Sequence, residues 1–169
     1  MKITKTNNSG FTIVELLIVI VVIGILAAIT IVAFNGIQDR AHNTAVESDL
    51  AAAAKKLEIY RATFGEGQYP VTNSSTVMNN LGLTASKSSY DTTSPGRSGN
   101  FYYCPNPTYD AYAMGAVSKS GQNYFLHNGK IEKASNVWGS TTCAKAGWTT
   151  TSYGLAGWGE TSGWQLWIK

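Results

Sequence analysis

Apolar residues are concentrated near the start of the chain. From Phe11 to Ile37, 21 of 27 residues are apolar, and no charged residue occurs from Leu16 to Gln38. Such a run is too long for a strand and matches the ~20 residues that an α-helix needs to cross a bilayer core. Lipid admits only segments that satisfy their own backbone hydrogen bonds. The pattern therefore predicts a single transmembrane helix, although the run is rich in Ile and Val.

A second pattern, mostly polar, continues the helix. Apolar residues recur there at spacings of four and three, with charged residues of zero net charge on the other faces. The spacing predicts one continuous helix over Phe11–Phe64 whose seam lies on the chain's own globular domain. A coiled coil is the alternative, but the seam covers fewer than three heptads. The seam residues are Val46, Leu50, Ala53, Leu57, Tyr60 and Phe64.

The remainder of the chain has the signals of a small sheet. Gly65, Gly67 and Pro70 end the helix, and Asn128-Gly129 is a strong hairpin signal. We expect an α+β fold in which the helix seam packs on an antiparallel meander. The predicted later elements are a helix within Ser75–Leu83 with Ser75 as its cap, a loop over Thr84–Gly99, and strands at Phe101–Tyr103, Ala111–Val117, Tyr124–His127, Lys130–Lys133 and Trp164–Ile168.

The five tryptophans all fall in the last 32 residues and alternate with glycines. We interpret these rings as anchors for a tail with little regular structure. The alternative is an exposed aromatic surface that stacks on glycans or bases. Few basic residues accompany them, and the net charge of the whole chain is only +3. The sequence therefore predicts no specific nucleic-acid partner.

Catalytic motifs are absent from the sequence. His42 and His127 lack ligand-like spacing, and neither a nucleophile motif nor a phosphate loop occurs. We therefore predict a protein that is not an enzyme and that has no metal and no cofactor. Asn73-Ser74-Ser75 fits the N-glycosylation pattern, which also arises by chance.

Charges on the two sides of the apolar run predict its orientation. Lys2 and Lys5 precede it, whereas the first charges after it are three acids and one base. The positive-inside rule then places Met1 in the cytoplasm and the head outside. Cys104 and Cys143 fall in this exported head, where a disulfide can form. Their bridge would close a loop of about 40 residues and contribute roughly 4 kcal/mol; a free thiol pair is the alternative.

Glu15 is the one charge close to the apolar run. A carboxylate costs up to roughly 2.5–3.5 kcal/mol at a bilayer centre and less near the interface. It fits an acid at a helix start that complements the helix dipole. The functional alternative is a charge that is kept for a partner.

These N-terminal residues carry a family resemblance. The stretch from Gly10 to Ile20 reads GFTIVELLIVI, after a short basic leader, and the match continues through Gly24–Ile29. It resembles the class III signal of type IV pilins and pseudopilins. The resemblance is close over about the first 65 residues and only architectural beyond them.

The resemblance implies a processing pathway. Met1–Gly10 would be a leader that a prepilin peptidase removes, and the same enzyme would methylate the new N-terminus at Phe11. Glu15 would then meet the Phe11 ammonium of a neighbouring subunit. Two charges that are costly in an apolar bundle offset each other in one axial register, so the pair would act as a registry device.

The implied organisation has four parts: leader 1–10, transmembrane and fibre-core helix 11–37, amphipathic spine of the head 38–64, and disulfide-tied β-rich head 65–169. The implied function is that of a structural subunit of a type IV pilus with roles in adhesion and motility. The subunit would wait in the cytoplasmic membrane as a single-pass protein and then join an extracellular homo-oligomeric filament. Its further partners would be an assembly ATPase and a platform protein.

Two other functions remain open. A pseudopilin of a type II secretion or DNA-uptake system shares every N-terminal feature. A minor-pilin adhesin would use the Trp-rich tail as a binding surface.

Overall fold

A single long helix, α1, spans Ile13–Thr63 in the computed structural model, close to the predicted Phe11–Phe64. The structure describes residues 10–72, 75–93, 99–149, 155–159 and 161–169, so the leader residues 1–9 and the triplet residues Asn73 and Ser74 lie outside the described residues. The chain divides into two units, Met1–Gln38 and Asp39–Lys169.

The helix ends where glycine permits a left-handed turn. The Phe64 and Gly65 amides both donate to the Tyr60 carbonyl, and the Gly67 amide donates to Arg61. Gly67 has a φ of +87°, which an L side chain rarely adopts. These bonds satisfy carbonyls that the last turn would otherwise leave unpaired.

The predicted seam is confirmed over its first four residues. Val46, Leu50, Ala53 and Leu57 are buried in the second unit. The prediction was wrong at Phe64, whose side chain is 77% exposed. Phe64 lies beyond the end of α1, so the helical spacing no longer fixes its direction.

The sheet that covers the seam confirms the α+β class. Its strand order is β4-β3-β2-β1-β5, and every neighbouring pair is antiparallel. Core residues of the sheet such as Tyr103, Met114 and Leu126 pack with the helix seam in one cluster. The strands are β1 Phe101–Pro105, β2 Tyr112–Val117, β3 Asn123–His127, β4 Lys130–Ala134 and β5 Leu155–Ala156, and a separate hairpin pairs β6 Trp158–Gly159 with β7 Gly163–Trp164.

The predicted hairpin turn is confirmed between β3 and β4. Asn128 and Gly129 have φ values of +51° and +74°, the pair of positive values that a tight primed turn requires. His127 then faces Lys130 across the ladder. Short helices complete the second unit: α2 Ser75–Leu81, a 3-10 turn at Lys87–Ser89, and α3 Ser140–Lys145.

The predicted C-terminal strand at Trp164–Ile168 is wrong. Only Trp164 lies in a strand, and Ile168 forms an isolated parallel bridge with Leu83. The Ile168 amide donates to the Gln165 carbonyl, which closes a turn. Trp167 and Ile168 are both buried in the same core cluster. Two adjacent buried side chains in one cluster do not fit the period of two of a half-buried strand.

The described part of the predicted loop Thr84–Gly99 contacts α1 through Asp49 and His42. Asp49 accepts hydrogen bonds from the Ser86 amide at 2.6 Å and from the Tyr90 hydroxyl at 3.1 Å. The loop also contains the 3-10 turn and a bridge from Tyr90 to Ser118, so its described part is more ordered than its polar composition predicted. Residues 94–98 lie outside the described residues.

Candidate assembly site

The start of α1 is closed by a reciprocal capping arrangement between Thr12 and Glu15. The Thr12 amide and hydroxyl donate to Glu15 Oε2 at 2.9 and 2.8 Å, and the Glu15 amide donates to Thr12 Oγ1 at 3.2 Å. This is a capping box, in which two backbone amides that lack partners at a helix start are satisfied by side chains. Glu15 therefore has a local structural role at the first turn.

Sequence reasoning missed this capping role. Thr-x-x-Glu before an apolar run is itself the signature of the box, and it occurs at Thr12–Glu15. The interpretation of Glu15 as an acid at a helix start agrees with its place in the first turn. In the described part of the chain the Glu15 carboxylate accepts hydrogen bonds only from Thr12, so a partner from outside the chain can still approach it.

The rest of the first unit presents an apolar surface without a cover. Its large apolar side chains are all exposed, from 47% at Val22 to 88% at Phe11. By length and composition α1 can cross a membrane. An exposed apolar face of this extent is not stable in water, because each buried CH₂ is worth about 0.8 kcal/mol. The helix therefore needs lipid or other helices around it.

The residues at the predicted cleavage point are accessible. Gly10 and Phe11 precede the first helical turn, and both are exposed. A side-chain carbon at Gly10 would meet no heavy atom within 4 Å. Within the described residues, nothing near Gly10 blocks access of a protease to the Gly10–Phe11 peptide bond.

The head contains a second predicted site, the cysteine pair. Cys104 on β1 and Cys143 on α3 form a disulfide with their Cα atoms 5.6 Å apart, and both are buried. The bridge fastens α3 to the outer face of the sheet. There Ala113, Val117, Phe125 and Val137 form a second, smaller core.

Gly115 makes the close approach of α3 possible. A side-chain carbon at this position would lie 2.5 Å from the Val137 carbonyl oxygen and 2.6 Å from Thr142 Oγ1. Thr142 Oγ1 itself donates to that carbonyl at 2.6 Å. The backbone at Val137, just before α3, can pack directly against β2 only because residue 115 has no side chain.

The tryptophan rings of the tail pack inward for the most part. Trp167 is 5% exposed, and the other four are partly buried. Trp164 contacts Tyr90 edge to face with ring centroids 5.4 Å apart, and Trp148 contacts His127 at 5.6 Å. These contacts favour the interpretation of the rings as anchors over that of an exposed binding surface.

The two histidines lie in different parts of the head. Among the described residues, no group of three or more His, Cys, Asp or Glu side chains could hold a metal ion. His42 Nδ1 lies 3.3 Å from Ser89 Oγ. His127 instead contacts the rings of Phe125 and Trp148.

Buried phenols are the main electrostatic feature of the head. Burial raises the pKa of Tyr124 to about 12, and the nearby Glu47 carboxylate acts in the same direction. Burial also raises the pKa of Tyr90 above its usual range, with Asp49 adding to the effect. On the surface, hydrogen bonds from Asn106 and Thr108 lower the pKa of Asp110.

Comparisons with known proteins agree with the N-terminal geometry. Residues 5–31 match the family model described as the prokaryotic N-terminal methylation motif. The type IV major alpha-pilin of Moraxella bovis is 43% identical over 84 residues, which cover 48% of this chain and 51% of that protein. Type II secretion system core protein G is 34% identical over 68 residues in Klebsiella michiganensis, covering 40% of this chain and 46% of that protein.

The Escherichia coli core protein G is 33% identical over 67 residues, covering 40% of this chain and 45% of that protein. The chain thus spans about half the length of the curated relatives that it matches, and no solved structure matches it. The methylation motif, the relatives and the long capped helix on an antiparallel sheet agree with one another, and the N-terminal part of this chain is similar to a type IV major pilin and to the core proteins G of type II secretion systems.

Proposed function

We propose that this chain is the structural subunit of a type IV pilus and that it assembles into a surface filament through its N-terminal helix. The observation that carries the proposal is the first unit of the structure. Its large apolar side chains are exposed, and its charge-free run begins directly after a capped acidic turn. Packing such helices side by side would cover that surface when the subunit leaves the membrane.

Processing would prepare the helix for assembly. We propose that a prepilin peptidase cuts between Gly10 and Phe11, which removes residues 1–10, and methylates the Phe11 amine. The exposure of both residues supports this step. The Thr12 amide survives such a cut, because it belongs to the Phe11–Thr12 peptide bond. The capping box would therefore persist in the mature subunit.

The new N-terminus would supply the cationic partner that the Glu15 carboxylate lacks among the described residues. We propose that the Phe11 ammonium of a neighbouring subunit pairs with the Glu15 carboxylate. In an apolar bundle an unpaired charge is costly, and the pair forms in one axial register only. Glu15 would therefore select the register of assembly more than it would stabilise the fibre.

The partners and the orientation follow from the same proposal. Lys2 and Lys5 would remain in the cytoplasm and the head would lie outside, with an assembly ATPase and a platform protein driving extrusion of a homo-oligomeric filament. The role that we propose is structural and not catalytic.

A direct test is to express the chain with a pilus machinery whose own major subunit is deleted. Sheared surface fibres should contain the chain with an N-methylated Phe11 start, as read from fragment masses. Glu15→Ala should abolish the fibres while the subunit stays in the membrane. Glu132→Ala, an equally simple loss of an exposed carboxylate, should leave them unchanged. Retention of Met1–Gly10 in the fibres would refute processing, and normal fibres from Glu15→Ala would refute the registry role.

The second candidate is a pseudopilin, which the matches to core protein G favour. Such a subunit shares the N-terminal helix and its processing. Deletion would then block export of secreted proteins, and the native cells would carry no surface fibre of this chain. Abundant native fibres would decide for the pilin.

A further inference from the structure

Two asparagine–glycine pairs occur in the chain, and the structure gives them different environments. Asn35-Gly36 lies inside α1, whereas Asn128-Gly129 forms the turn between β3 and β4. Both asparagines are exposed in the single chain, so exposure does not distinguish them. The difference lies in the hydrogen bonds of the peptide group that joins each asparagine to its glycine.

An asparagine that precedes a glycine can react with its own backbone. The nitrogen of the following residue attacks the side-chain amide carbon, which closes a five-membered imide and displaces ammonia. Glycine favours this step because it has no side chain to hinder the nitrogen and because its backbone rotates easily. Water then opens the imide at either of its two carbonyls. The products are aspartate and isoaspartate, and in isoaspartate the main chain runs through the former side-chain carbon.

The peptide group between Asn128 and Gly129 is free to rotate. The φ values of +51° and +74° place it at the centre of a tight turn, where the flanking pair His127 and Lys130 carries the ladder. Within the described part of the chain, neither the Asn128 carbonyl nor the Gly129 amide forms a hydrogen bond, and the Asn128 side chain forms none. Rotation of this peptide group toward the geometry of attack therefore breaks no hydrogen bond.

The peptide group between Asn35 and Gly36 is held by the helix. Inside an α-helix the Gly36 amide donates to the Val32 carbonyl, so rotation of the group would break this bond. The pair also lies within the apolar run, whose exposed side chains need lipid or other helices around them. Removal of the amide proton and opening of the imide both require water, which a bilayer core lacks.

We propose that Asn128 is a site of spontaneous deamidation and that Asn35 is protected from the same reaction. The Gly129 nitrogen bonds to Asn128 Cγ, the side-chain nitrogen leaves as ammonia with the proton of the Gly129 amide, and one water molecule opens the ring. The reaction needs no enzyme, oxidant or cofactor. It is a property of the folded head and does not depend on the proposed filament.

The two products would affect the sheet differently. Aspartate keeps the two-residue turn, because Asp-Gly fits a primed turn as Asn-Gly does. Isoaspartate lengthens the main chain of the turn by one carbon, and the length of a turn sets the register of its hairpin. Strand β4 lies at the edge of the sheet and pairs only with β3, so no second ladder holds its register. Isoaspartate at position 128 would therefore loosen β4 and with it Ile131, which packs on the core.

Peptide mapping of the full chain in detergent micelles tests this assignment. The chain is incubated at mildly alkaline pH, and mass spectrometry follows the conversion of amide to acid at positions 35 and 128 in the same sample. Conversion at Asn128 should be at least about tenfold faster than at Asn35, because the helical peptide group must first open. Synthetic peptides of residues 32–39 and 125–132 should convert at similar rates, since neither holds its pair in a folded element.

A matched pair of variants supplies the second measurement. Asn128→Gln should remove most of the ammonia that the full chain releases, because the longer side chain closes a ring far less readily, whereas Asn35→Gln should leave the release unchanged. The isoaspartyl form, separated by chromatography, should exchange the amide hydrogens of residues 130–134 faster than the parent chain. Asn128→Asp should exchange them like the parent chain.

Three outcomes would contradict the proposal. Conversion at Asn35 that equals or exceeds conversion at Asn128 would show that the helix gives no protection. An Asn128 that stays intact in the folded chain after the 125–132 peptide has converted would show that the turn is not a reactive site. Unchanged exchange of residues 130–134 in the isoaspartyl form would refute the loosening of β4.

Discussion

Thr12 and Glu15 form a capping box, and in the proposed filament Glu15 would have a second role. Within the chain, the pair satisfies two amides at the start of α1. A capping box leaves the charge of the carboxylate intact, and carboxylates accept several hydrogen bonds at once. Glu15 can therefore hold the first turn in place and still receive a cation from a neighbour. The local bond would orient the carboxylate before assembly begins.

Substitution of Thr12 tests the capping role. Thr12→Ala should destabilise the first turn by about 1 kcal/mol, because a cap hydroxyl is lost. Hydrogen exchange of the Glu15 and Leu16 amides, which donate to Thr12, should then be roughly fivefold faster when it is measured on the full chain in detergent micelles. Thr12→Ser keeps the hydroxyl and should exchange like the parent chain. Equal exchange rates in the Ala and Ser variants would contradict the role.

Elements with strong local signals could be predicted, and elements fixed by tertiary contacts could not. Helix α1 follows from its uncharged run and its seam, and the β3–β4 turn follows from Asn128-Gly129, because each signal acts within a few residues. Trp164–Ile168 has the composition of a strand but folds as a turn with two adjacent buried anchors. Helix α3 has no local sequence signal, because the disulfide and the absence of a side chain at Gly115 position it.

The candidate site divides in the same way. The processing and registry roles of Gly10, Phe11 and Glu15 are inferred from their order in the sequence and stay predictions. The exposure of Phe64 and Leu166 depends on where α1 ends and on which apolar residues the core leaves uncovered, and no local sequence pattern predicts either. Phe64 illustrates the difference, because helical spacing assigned it to the core and the end of the helix removed it.

The packing of α3 on β2 gives a prediction at the level of elements. Gly115→Ala should lower the free energy of unfolding of the head by about 1–3 kcal/mol, because the new methyl group overlaps the Val137 carbonyl and Thr142 Oγ1. Denaturant unfolding followed by tryptophan fluorescence measures the change. Gly36→Ala adds the same methyl group where nothing lies within 4 Å, so it should not destabilise the head. An unchanged midpoint for Gly115→Ala would show that the α3 segment shifts without cost.

Tyrosine side chains make up much of the hydrophobic core of the head. Tyr90, Tyr103, Tyr112 and Tyr124 are all buried around the helix seam, and burial raises the pKa of each of them. Because folding raises these pKa values, the stability that the neutral phenols contribute is fully present below the pKa of an unfolded tyrosine, about 10. That stability is lost as the pH rises from the unfolded-state pKa toward the folded-state pKa.

The head should therefore lose stability above about pH 10. Tyr124→Phe should reduce the loss of stability between pH 10 and the Tyr124 pKa of about 12, because phenylalanine has no hydroxyl group that can ionise. Urea unfolding at a series of pH values measures the effect. The idea fails if the Tyr124→Phe variant loses stability in parallel with the parent chain.

The disulfide would have a mechanical consequence if the proposed filament were pulled. Cys104 and Cys143 are separated by 39 positions in sequence, and strands β2, β3 and β4 lie entirely between them. Tension applied at the two ends of the chain would pass through the sulfur atoms and bypass that segment. About 130 Å of extended chain would be unavailable to stretching. A head that unfolded under tension could thus lengthen only through the residues before Cys104 and after Cys143, while strands β2, β3 and β4 bore no force.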